Sequence, residues 1–159
     1  MKSLFSAVAL ATLAATATFV ATDTVEAGPT FQGHDGNVAV SGYDPVAYFI
    51  GDGKPVKGSN KIRVSYDGSI YHFSSVENAE RFKKFPAAFI PEYGGHCAWA
   101  MSRGALASAD PLLYKVEKGR LYLNFSKGVQ EKWNKDIPGF IDKANAKWPS
   151  VPDDARFDG

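Results

Sequence analysis

The chain has 159 residues, of which 45% are hydrophobic and 13% aromatic, and its 18 basic and 17 acidic side chains leave a formal charge of +1. That balance lacks the electrostatic footprint of a nucleic-acid binder, and a single cysteine excludes an internal disulfide. Stability must come from a core rich in aromatic rings, drawn from 11 Phe, 7 Tyr and 3 Trp.

Residues 1–20, MKSLFSAVALATLAATATFV, carry one early charge, Lys2, and then a run dominated by Ala, Leu and Thr. Val25-Glu26-Ala27 offers the small residues that a leader peptidase reads. A secretory leader over residues 1–27 is predicted, with cleavage after Ala27. The formal charge then becomes +2, because Lys2, Asp23 and Glu26 leave together. No cysteine follows the cut to take a lipid, and no later run is apolar for long enough to span a membrane. The expected product is soluble and exported, periplasmic or secreted. Residues 28–35 read as a flexible lead-in carrying His34, residues 36–151 as one domain, and residues 152–159 as a C-terminal tail.

Within the domain, Asp44-Pro45 is a helix-start signal and predicts a short helical turn through Phe49. Ile62, Val64 and Tyr66 alternate up to Asp67-Gly68, and Tyr71 and Phe73 alternate away from it, which predicts a hairpin. Ser74 and Glu77 have capping-box spacing ahead of Val76, Ala79, Phe82 and Phe85, and Pro86 stops that helix. A second hairpin is expected around Lys118-Gly119. Ser126 is expected to cap a helix through Trp133, stopped by Pro138, with a second helical turn after each proline. The repeated order predicts an α+β fold of two hairpin-helix halves around one aromatic core, in which His72 of the first half corresponds to Leu123 of the second.

Residues 66–95, YDGSIYHFSSVENAERFKKFPAAFIPEYGG, resemble the YHS domain, with its Tyr-x-Gly, its Tyr-x-Phe-x-Ser, a spaced Phe, and then Pro and Tyr. With GYDPVAYF, YGGHCAWAMS and LYLNFSKGVQEKW, the span 36–151 is similar to the exported single-domain branch of that family. The resemblance implies a metal-related role, with copper the expected ion. YHS domains fused to metal pumps commonly carry Cys-Gly-Met after Asp-Pro-Val and a Cys-x3-Cys pair. Here Ala47, Tyr48 and Phe49 follow Asp44-Pro45-Val46, and Ser74 and Asn78 stand at the positions matched to the pair.

A metal would need other ligands. On a helical turn through HCAWAMS, Cys97 and Met101 lie four apart and share a face, a thiol and a thioether suited to Cu(I). A third ligand would come from His72 at the strand's end, or from His96. An exported copper-binding or copper-buffering protein, monomeric or linked into a dimer through Cys97, is one expectation. The other is a non-catalytic small-ligand or interaction module in which Cys97 is a small buried hydrophobe. A thiol enzyme using Cys97 and His72 is weaker, because nothing specifies an orienting Asn or Asp. Signatures of zinc proteases, phosphate loops and haem attachment are absent from the sequence.

Overall fold

The computed structural model describes residues 29–31, 36–155 and 157; the predicted leader and His34 lie outside them. The fold is α+β. Strand β1 (Ser59–Tyr66) pairs antiparallel with β2 (Ser69–Phe73), and β3 (Asp110–Glu117) pairs with β4 (Arg120–Asn124), giving two separate two-stranded sheets. Each hairpin closes through two residues with positive φ, Asp67 (48°) and Gly68 (71°) in the first, Lys118 (49°) and Gly119 (75°) in the second. That geometry matches the right-handed twist of the strands it joins.

Helix α1 (Val76–Lys84) follows β2, and α3 (Lys127–Trp133) follows β4. Ser126 caps α3 as expected, accepting from the Val129 N–H at 3.4 Å. The first cap is displaced by one residue from the expectation: Ser75 accepts from the Asn78 N–H at 3.1 Å. Ser74 is instead drawn away to the Asp44 carboxylate. The turn after Asp44-Pro45 does not become a helix; it continues as successive turns through Phe49, held by Ala47 N–H to Asp44 and Phe49 N–H to Val46 carbonyls. After Pro86 there is a single 3-10 turn, Pro86–Ala88. Near Pro138 there is a full helix, α4 (Ile137–Lys147), because Asp136 caps it by accepting from the Gly139 N–H at 3.1 Å.

The two halves repeat more closely than the motifs alone reveal. Ser75 and Ser126, Tyr71 and Tyr122, and Phe82 and Trp133 occupy matching places, each pair 51 positions apart. Both sheets break register at the same point, between Ser59 and Arg63 in one and between Asp110 and Tyr114 in the other. His72 and Leu123 do correspond, paired with Arg63 and Tyr114. The repeat extends upstream. Val40, Ser41 and Gly42 have positive φ and lead into Tyr43-Asp44, while Tyr93, Gly94 and Gly95 have positive φ and lead into His96-Cys97.

Burial divides the core into two clusters. One gathers Phe73, Phe82, Leu121, Leu123 and Cys97; the other gathers Tyr93, Met101, Tyr122, Trp133 and Ala144, and Trp99 packs against both. Rings set the spacing, with Tyr71 4.8 Å from Phe82 and Tyr122 5.7 Å from Trp133 between centroids.

Candidate functional site

Cys97 is 1% exposed. Its backbone N–H donates to the Ala107 carbonyl at 3.0 Å, and it bridges to Leu123 of β4. These contacts hold its ψ at 114°, outside the helical region, so it is the cap of α2 (Ala98–Met101) and not a member of it. The expected shared face of Cys97 and Met101 is therefore not formed: the two side chains enter different core clusters. Burial pushes the thiol above its ordinary pKa, opposed by the backbone N–H groups of Ala100, Phe125 and Trp99. The sulphur is a neutral thiol with the Asn124 side-chain oxygen 3.9 Å away.

The histidines lie apart from it. His96, 2% exposed, packs between Phe31 and Trp148, at centroid distances of 5.5 and 6.4 Å, with Nδ1 3.4 Å from the Ala107 carbonyl. Burial lowers its pKa from the ordinary value, while the carbonyls of Ala107 and Pro29 pull the other way; among the described residues no partner reaches hydrogen-bond geometry at Nε2. His72 points away from the buried Tyr71 and Phe73, toward Gly42 and the Lys57 side chain. Its pKa is lowered by partial burial and by the positive charges of Lys57 and Arg63. A histidine between two cations is a poor place for a third. Among the described residues, no group of three or more His, Cys, Asp or Glu side chains is placed to hold a metal ion.

The positions matched to the Cys-x3-Cys pair do converge, on a carboxylate. Asp44 is fully buried. Its Oδ1 accepts from the Val46 N–H at 2.9 Å, and its Oδ2 accepts from the Ser74 N–H (2.8 Å), the Ser74 hydroxyl (2.6 Å) and the Asn78 amide (2.7 Å). Four donors satisfy the two oxygens, so the network reads as a lock joining the 44–49 turns to α1.

A cleft of about 290 Å³ lies where the halves meet, bounded by the β1–β2 turn, the segment between α1 and α2, the start of β4 and the residue after α4. Tyr66, Tyr71, Tyr93 and Trp148 line it with Glu92 and Arg120. Arg120 Nη1 is 3.2 Å from Glu92 Oε1. The Glu92 side chain is 26% exposed, and burial raises its pKa despite that guanidinium. One edge is formed by Thr30, whose segment is pinned by a 2.8 Å hydrogen bond from the Phe31 N–H to the Gly94 carbonyl. Larger hollows beside α1 and beside Pro55, about 590 and 440 Å³, open more widely to solvent.

The sequence reading missed both Asp44 as a network centre and the Glu92–Arg120 wall. The Asp-Pro signal was present but fitted a local cap equally well. Glu92 and Arg120 are 28 positions apart and carry no shared motif. None of the described helices is long and apolar enough to cross a membrane. Comparisons with protein-family models, with curated proteins and with solved structures find no match for this chain.

Proposed function

We propose that the chain is an exported YHS-like domain that binds a small molecule non-catalytically in the cleft between its halves, with Cys97 serving as core. The observation that carries this reading is the cleft itself: a partly enclosed, aromatic-lined space at the junction of two repeated units, with a charged pair in its wall. Such spaces, mostly apolar with a few polar groups to orient the occupant, are where small ligands bind. At about 290 Å³ it suits a compact molecule.

A copper-binding role through Cys97 is the second reading. It is favoured by the single helical turn that separates the two sulphur residues, closed by the Met101 N–H donating to the Cys97 carbonyl at 3.0 Å. Against it stand the burial of Cys97 and Met101 in separate clusters and the raised thiol pKa.

Ligand-observed NMR with a panel of small aromatic compounds, on wild type and on Ala87→Trp, tests the cleft reading. Ala87 is exposed and lines the cleft, so the indole fills it without entering the core. Binding by wild type that disappears in the variant is expected. Identical binding by the two proteins would place the ligand elsewhere.

A further inference from the structure

Resting on the cleft reading, we infer that the occupant is a small organic cation with an aromatic or compact apolar body, of the substituted-ammonium type, held by aromatic rings and carboxylates together. Charge complementarity carries the assignment. Among the described residues, the acidic and basic side chains of the lining are Asp67, Glu92 and Arg120, two carboxyl groups against one guanidinium. Arg120 is already engaged: Nη1 meets Glu92 Oε1 at 3.2 Å and the Ala87 carbonyl at 3.5 Å. Asp67, on the exposed hairpin turn, makes no ion pair among the described residues. An anionic guest would face both carboxylates and compete with Glu92 for its one cation. A cationic guest meets the excess negative charge and leaves the Glu92–Arg120 pair intact.

The rings argue in the same direction. Tyr66, Tyr71, Tyr93 and Trp148 all line the space, and electron-rich tyrosine and tryptophan faces attract cations that carbon substituents have made easy to desolvate. The rings are held in place by their own packing. Tyr66 stands edge-on to Phe82 at 5.8 Å, Tyr93 lies 5.8 Å from Trp148, and the Tyr93 hydroxyl donates to Asn145 Oδ1 at 2.9 Å. Side chains so fixed give up little freedom on binding.

The test is a calorimetric titration of the whole chain with three probes of similar shape: phenyltrimethylammonium, its neutral isostere tert-butylbenzene, and the anion 4-methylbenzoate. Phenyltrimethylammonium is expected to bind at least tenfold more tightly than the other two. Asp67→Asn, at a turn position asparagine also adopts, is expected to weaken the cation about threefold and leave the neutral probe unchanged. Trp148→Leu is expected to weaken both. If the neutral or anionic probe binds as tightly as the cation, or if Asp67→Asn leaves the preference unaltered, the cation assignment fails while the cleft reading survives. If none of the three probes binds, both fall.

Discussion

Cys97 occupies in the second half the place that Asp44 occupies in the first. Each follows three residues of positive φ, each donates its N–H to the carbonyl of a later loop residue (Val56 for Asp44, Ala107 for Cys97), and each is buried at the start of a turn. The backbone donors correspond as well: Ser74 faces Asp44 as Phe125 faces Cys97. The side-chain donors do not, because Ser74 and Asn78 are matched by Phe125 and Val129. One duplicated cradle thus holds a carboxylate that locks two elements together and a thiol that fills space.

That difference predicts unequal consequences of truncation. Asp44→Ala leaves the Ser74 hydroxyl, the Asn78 amide and two backbone N–H groups without their acceptor, and is expected to cost more than about 3 kcal/mol. Cys97→Ala removes one sulphur from an apolar cluster and is expected to cost about 1 kcal/mol. Urea unfolding of the two variants gives the comparison, and equal losses would contradict the asymmetry.

His96 sets a pH dependence. Its folded-state pKa is lowered, so the unfolded chain binds the proton more readily. The stability this neutral ring contributes is present above about pH 6.5 and is lost as pH falls through the lowered folded value. Within that window the loss has a limiting slope of about 1.4 kcal/mol per pH unit for one proton. Replacement by Phe, which keeps the packing against Phe31 and Trp148, is expected to flatten the acid limb of a plot of thermal midpoint against pH. His72→Gln serves as the control and is expected to flatten it less, since His72 is only partly buried. An unchanged acid limb in His96→Phe would assign the dependence to other groups.

Gly94 is the anchor of the segment 29–31. A Cβ there would collide with the Pro29 carbonyl, and φ is +60°. Gly94→Ala is expected to cost about 1–2 kcal/mol from the left-handed conformation alone and to release the Phe31 N–H from the Gly94 carbonyl. Hydrogen exchange at Phe31 reads this directly: protection should fall by more than the global stability loss accounts for. Retained protection would show that other contacts hold the segment.

Local patterns made the hairpins and helices legible. Asp67-Gly68 and Lys118-Gly119 carry the turn chemistry, and the spacing of Tyr71, Phe73, Ala79 and Phe82 gives the buried face. The orientation of Cys97 was not legible, because its extended ψ depends on pairing with Ala107 and Leu123, which no four-residue spacing encodes. The first helix cap shifted by one residue for a similar reason: Asp44, 30 positions away, outcompetes α1 for Ser74. The cleft was hidden because its walls come from both halves and meet only when the chain folds.

The central claim is that ligand binding belongs to the cleft and that Cys97 belongs to the core. Amide shift mapping of the whole chain by two-dimensional NMR tests it most directly, first with a panel of small aromatic cations, anions and neutral compounds, then with Cu(I) under reducing conditions. The account predicts saturable shifts at Asp67, Glu92, Gly94 and the Trp148 indole with at least one panel member, and no stoichiometric Cu(I) shift at Cys97 or Met101. Silence in the cleft across the panel, together with a one-to-one Cu(I) shift centred on Cys97, would contradict it.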